Sequence, residues 1–331
     1  MEHVVQVLGP REVPLGGPRA MTVRRTLPAR ERSFVGAWCF ADHYGPDDVA
    51  ATGGMDVAPH PHCGLATVSW LFSGEVEHRD SLGTTALVRP GEVNLMTAGR
   101  GISHSEVSTS ATTVLHGAQL WVALPEAAAG VEPRFEHHVP EVLRPAEGVT
   151  AQVFVGSLWG AASPVRTESP LLGVEVVLDG GAEVGLPVPD DWEVGVLVDD
   201  GGVTFCGQAL ERAELGVVDA ADPAAASSPG PRVVRAGSDG ARVLVLAGKP
   251  FGEEIVMWWN FVGRSHDEVV AAREAWESGA DGEEAGPFGR VDGYSGETPR
   301  IPAPALPGVR LRSRGNRGRP GHPEAEAPAM S

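Results

Sequence analysis

Short apolar runs rich in Val, Leu, Thr and Trp recur along the chain between glycines and prolines. Residues 65–72 (LATVSWLF), 112–124 (TTVLHGAQLWVAL), 171–178 (LLGVEVVL) and 241–248 (ARVLVLAG) are examples, each with turn-forming residues close by. This spacing predicts an all-β protein, a sandwich or barrel. Helical periodicity is absent until residues 265–277. There SHDEVVAAREAWE offers Ser265 or Asp267 as N-cap, early acids, and apolar residues at helical spacing. Residues 220–231 read as a small-residue, Pro-rich loop. The chain beyond about 279 reads as a Gly/Pro-rich tail, of which 300–311 is apolar enough to drape over the body and 315–331 reads as disordered.

A weak internal repeat accompanies the strand pattern. A shift of 127 positions sets Val57 on Val184, Leu71 on Val198, Gly74 on Gly201 and Val76 on Val203. Both halves then read as strand, turn-rich segment, strand, glycine turn, strand. His60 and His62 of the first copy face Pro187 and Pro189 of the second, so the second copy keeps the scaffold and lacks the histidines.

Those histidines carry the candidate chemistry. In 59-PHPH-62, His60 and His62 are two apart, and on a strand such residues share a face. Pro61 between them points the other way and suits an unpaired position. In 96-MTAGRGISHSE-106, His104 and Glu106 are again two apart, after Gly99 and Gly101 permit a tight bend. A barrel can bring the two strands together. Three imidazoles and one carboxylate would satisfy one divalent transition metal and leave a coordination position open. A lone His-x-His is more often two ordinary histidines; two such pairs in one Gly/Pro-rich β context favour the metal.

Charge narrows the function classes. The 331-residue chain has a formal net charge of −18, and Lys249 is its one lysine. Such a surface repels phosphate backbones, so direct nucleic-acid binding is not expected. The five arginines within 310–319 read as a solvated segment. The N-terminus lacks the pattern of a signal peptide, no run is long enough to span a membrane, and Cys39, Cys63 and Cys206 form no disulfide framework. A cytoplasmic protein is expected.

The segments HPHCGLATVSWLFSGEVEHRDSLG and VRPGEVNLMTAGRGISHSE closely resemble the pirin family of the cupin superfamily. Flanking agreement comes from 36-GAWCFADHYGP-46, 118-AQLWVALP-125 and AGKPFGE at 247–253; the resemblance runs from about residue 20 to 262. It implies a bicupin: two tandem cupin-type β-barrels, a short C-terminal helix and an extended tail. The expected spans are 1–140 for a metal-binding barrel, 141–264 for a degenerate metal-free barrel, and 265–331 for helix and tail. The family's metal ligands carry over onto His60, His62, His104 and Glu106. The carboxylate that a general cupin places after its histidine pair is replaced here by Thr67, as the pirin pattern has it. The resemblance implies iron(II) first, with manganese, nickel, copper or zinc also accepted by such a donor set. It further implies quercetin 2,3-dioxygenase-type activity on a small aromatic, flavonol-like substrate with dioxygen, Glu106 serving as ligand and as general base. The alternative it implies is a non-catalytic, metal-dependent regulator that binds a transcription factor or a metabolic enzyme. Many pirins carry Arg after the second ligand histidine; this chain has Cys63 there, read as a small half-buried residue.

Other residues have plainer expectations. His78 and Asp80 read as a hydrogen-bonded turn, His137 and His138 as a solvated linker, and Trp258, Trp259 and Phe261 as a packing cluster. His43 is a candidate to support a ligand histidine from behind.

Overall fold

The computed structural model describes residues 3–15, 21–221, 230–279, 286–316 and 318. Within them the chain forms two antiparallel barrels, as the strand pattern predicts. In the first, a seven-stranded sheet runs Arg134–His138, Val93–Thr97, Leu65–Ser73, Val114–Ala123, Trp38–Asp48, Met21–Leu27, Arg11–Leu15. A four-stranded sheet, Asp56–His62, Ile102–Ser108, Val76–Asp80, Thr85–Val88, completes it. The second barrel is one nine-stranded sheet built around two long strands, Glu193–Phe205 and Arg232–Gly248. Register shifts after Val198 and Gly201 bend this pair, so one strand serves both faces of the barrel.

The run at 65–72 is buried on both sides, with Thr67 and Ser69 alternating among its apolar residues. Ala66, Val68 and Trp70 face the second barrel and join Ala118, Leu120 and Val122 of the adjacent strand in one shared core. Phe154, Leu171, Leu244 and Leu246 enter that core from the other side. Trp70 stacks on Phe154 at 4.7 Å and donates its indole N–H to Glu175 at 2.6 Å. Trp38 donates to the Leu172 carbonyl at 3.1 Å. Both indole N–H groups are therefore paired, which burial of a tryptophan requires. The opposite face of the same two strands carries Thr67, Ser69, Gln119 and Trp121. That face looks toward the candidate site.

Three features depart from the expected spans. Val5–Leu8, within the expected first barrel, pairs with Leu215–Val218 and is an edge strand of the second sheet; Val5 and Val7 pack on that barrel's core. The hairpin Val256–Trp258 and Phe261–Gly263 packs against the first barrel: Val262 N–H donates to the Cys63 carbonyl at 3.1 Å. A Cβ on Gly64, whose φ is +70°, would stand 2.0 Å from the Val262 carbonyl oxygen, so the glycine admits the hairpin. Finally, Gly315 and Asn316, read as the start of a disordered end, are docked. The Asn316 amide accepts from Ser33 and Phe34 N–H at 2.8 and 3.0 Å and donates to the Phe34 carbonyl at 2.8 Å. Side-chain capping of backbone groups leaves no trace in composition. Residues 317 and 319–331 of the expected disordered end lie outside the described residues.

The helix is His266–Ser278, with Ser265 as N-cap accepting from Glu268 N–H at 3.2 Å. Its buried Val269 and Trp276 pack with Phe261 and Phe288, as expected of the aromatic cluster. Among the described residues, no helix is long and apolar enough to cross a membrane.

Candidate metal centre

His60 and His62 lie on Asp56–His62, and His104 and Glu106 on Ile102–Ser108. The two strands pair antiparallel with His104 opposite His60. The register then slips between His104 and Glu106, so that Glu106 pairs with Val57. Pro59 falls within the slip, where no N–H is needed.

The three histidines converge. Ring centroids are 4.4 Å apart for His60 and His104, and 5.0 Å for His60–His62 and His62–His104. One ring nitrogen from each lies within 4.8 Å of the others. The strand Val76–Asp80 flanks His104 on its other side, and there His78, His104 and Glu106 form a second such set. Glu106 thus stands with His104 and His78, and His104 links the two sets.

Electrostatics keep the imidazoles neutral. Burial lowers the His60 pKa to about 4, and burial with the neighbouring rings takes His62 and His104 well below the ordinary value. Neutral imidazole is the ligand form. His60 Nδ1 bonds the Ala58 carbonyl at 2.8 Å, which fixes its tautomer with Nε2 free to act as a ligand. The Asn260 backbone offsets part of the lowering at His62, whose ring meets Trp121 edge-on at 5.2 Å. His62 Nδ1 and His104 Nε2 are buried with no hydrogen-bond partner. Leaving a buried polar atom unpaired costs about 1–3 kcal/mol; His104 Nδ1 is engaged with His78 at 3.3 Å, so its partnerless Nε2 is the nitrogen left for a cation.

Glu106 is buried, which raises its pKa; the His78 charge and the Ser69 hydroxyl pull the other way. Ser69 Oγ is 3.2 Å from Glu106 Oε1 and 2.9 Å from Gln119 Oε1. Above the histidines a cleft of about 610 Å³ opens, walled by the stacked Phe40–Trp121 pair, whose centroids are 4.0 Å apart.

Sequence reasoning underrated His78. It is no turn residue: it lies mid-strand, buried, with Nδ1 3.3 Å from His104 Nδ1 and Nε2 3.2 Å from Asp80 Oδ2. The available signal was the same two-residue spacing that picked out the ligand pairs. Trp259 and Ile301, from the hairpin and the tail, also line the cleft, and no local motif announces them.

His43 does not back a ligand histidine. It points toward the second barrel, where its Nε2 and that of His116 each lie 2.6 Å from Asp199 Oδ1. Arg242 Nε bonds the other Asp199 oxygen at 2.5 Å. His137 is likewise not in a linker; its strand pairs with Val93–Thr97 and its Nδ1 bonds Asn94 Oδ1 at 2.6 Å.

Comparison with known proteins agrees with this architecture. The family model for pirin matches residues 20–122, and that for the pirin C-terminal cupin domain matches residues 173–282. A Pseudomonas aeruginosa protein named "Putative quercetin 2,3-dioxygenase" is 42% identical over 307 residues, 92% of each chain. A pirin-like protein of Caulobacter vibrioides is 37% identical, over 78% of this chain and 88% of its own. The crystal structure of a quercetin 2,3-dioxygenase from Acinetobacter baumannii superposes with a TM-score of 0.83 at 36% identity, covering 95% of this chain and 98% of that one.

Proposed function

The chain belongs to the pirin family, two-barrel cupins, and on that premise we propose that its first barrel is a mononuclear metal centre of the quercetin 2,3-dioxygenase type. His60, His62, His104 and Glu106 hold one divalent transition metal, iron(II) first among the candidates. The substrate is flavonol-like and opened with dioxygen, in a cytoplasmic setting. The observation that carries this reading is the convergence of three buried imidazoles, one ring nitrogen from each within 4.8 Å of the others, with His104 Nε2 left without a partner.

When bound, the metal supplies Lewis acidity and, for iron, a redox centre. The protein's residues do the rest. Neutral imidazoles keep the site's charge low, so Glu106 provides its one negative charge. Burial raises the Glu106 pKa, which makes its carboxylate a stronger base for the proton of a flavonol hydroxyl. The Ser69 hydroxyl holds the carboxylate in place. Phe40 and Trp121 form a flat wall that orients a planar ring and excludes water beside it.

Oxygen uptake with quercetin tests the assignment, with metal content measured on the same samples. Metal-loaded wild type should exceed free metal, and Glu106→Gln should lose at least about a hundredfold in rate, the lower end of the range for removing a general base. Equal rates for wild type, Glu106→Gln and free metal would refute the mechanism.

A further inference from the structure

The chain as a whole is strongly acidic, with a formal net charge of −18, yet the walls of the metal cleft are cationic. Arg11, Arg25, Arg30 and Arg314 line it, and Glu106 at the floor is the one carboxylate among its described lining residues. Arg25 is committed elsewhere: it forms a two-point bridge to the buried Asp42 at 2.7 and 2.8 Å and lies 4.2 Å over the Phe40 ring. The other three have no carboxylate within ion-pair distance among the described residues.

Two of these three are held in place by uncharged groups. Arg11 Nη2 donates to the Pro28 carbonyl at 2.6 Å. Arg314 donates to the Ala29 carbonyl at 3.0 Å and to the Ser33 hydroxyl at 3.2 Å. These contacts position the guanidinium groups without pairing them to a carboxylate, and the Arg11 charge reaches Asp42 only at longer range. Arg11 and Arg314 are near enough to repel: burial lowers the Arg314 pKa, Cys39 opposes it, and the Arg11 charge lowers it by a lesser amount. Like charges gathered around one cleft raise its affinity for an anion. A neutral flavonol would leave this arrangement unused.

We infer that the cleft takes a planar aromatic substrate carrying a carboxylate in addition to its chelating hydroxyl, the carboxylate being met by Arg11, Arg30 and Arg314. The hydroxyl end rests on the metal reading above; the arginine end stands independently of it. The guanidinium fork matches a carboxylate, and Phe40, Trp121 and Trp259 supply apolar surface for the ring between. Trp259 sits at φ 52°, a conformation that L side chains rarely adopt, which places strained backbone at the cleft wall.

The test is calorimetric binding of two matched probes, 3-hydroxyflavone and 3-hydroxyflavone-4′-carboxylate, to metal-loaded and to metal-free protein. Metal-loaded wild type should bind the carboxylate about tenfold tighter at low salt, the advantage shrinking as salt rises. The exposed pair Arg11→Ala and Arg30→Ala, made together, should abolish that preference. In metal-free protein both probes should weaken and the preference should persist. Equal affinities for the two probes in wild type would overturn the inference and leave the metal reading standing. A carboxylate preference with no metal dependence for either probe would uphold the arginine end and overturn the metal reading.

Discussion

In the first barrel the strand Asp56–His62 sets His60 beside His104 of its antiparallel neighbour; in the second, Glu183–Leu186 sets Val184 beside Val234 in the same way. The first interior ends in imidazole nitrogens without partners and an open cleft. The second is filled by Val184, Leu186, Val196, Phe205 and Val234, and Arg232 is buried at the same strand, donating to the Val188 and Pro189 carbonyls at 2.9 and 3.2 Å. One scaffold has thus been finished in two ways. Aliphatic packing needs no further partner and contributes stability outright. The imidazole interior leaves buried nitrogens without partners, which a bound cation would satisfy.

Removing a first-barrel imidazole should have the largest effect. His62→Ala or His104→Ala should lower metal affinity by more than about a hundredfold, beyond what loss of a ligand's supporting partner costs. Titration calorimetry reads the affinity. The second-barrel counterpart, Leu186→Ala, should cost about 2–5 kcal/mol in urea unfolding and leave metal stoichiometry unchanged. Metal loss in Leu186→Ala would erase the distinction between the barrels.

The link between the barrels comes next. Asp199→Asn should destabilise the chain by about 3–5 kcal/mol, since it removes the negative partner of Arg242 and of two buried histidines. Burial raises the Asp199 pKa, but hydrogen bonds from His116 and His43 and the Arg242 charge outweigh it and depress the carboxyl. Its contribution is therefore complete above the unfolded value of 3.8 and is lost as pH falls through the lower folded value. Acid unfolding of the variant should lack that component.

Titration of the metal-free protein sharpens the comparison further. His60 has a folded pKa of about 4 against 6.5 unfolded, so between them the unfolded chain binds more protons. Stability should fall as pH drops from 6.5 to about 4, by about 3 kcal/mol from His60 alone, with His62 and His104 acting in the same direction. Denaturant midpoints across that range check it. The smallest effect belongs to Ser69→Ala, about 1 kcal/mol for the lost hydrogen bonds to Glu106 or Gln119.

The division of the chain into strands was legible because a buried strand, such as Leu65–Ser73, leaves a strand-length run rich in apolar and β-branched residues between turn residues. The three histidines were legible because two-residue spacing places side chains on one strand face. The repeat at 127 residues set Pro187 and Pro189 opposite His60 and His62, and the interior beside them in the second barrel is aliphatic. What escaped was set by contacts distant in sequence. His78 gains its meaning only when Val76–Asp80 pairs with the His104 strand. His43 looked like a ligand's neighbour, and Asp199, 156 residues later, claims it. Asn316 and Arg314 lie in a segment whose composition reads as a loose tail, yet one caps backbone at Ser33 and the other lines the cleft.

The central claim is that four side chains of one barrel converge on a single cation. Elemental analysis of protein purified without added metal, beside His104→Ala purified identically, tests it most directly. The account predicts close to one equivalent of a divalent transition metal in wild type and less than about a tenth in the variant. Equal metal in both, or a wild type that stays below about a tenth after incubation with iron(II) and nickel(II), would contradict it.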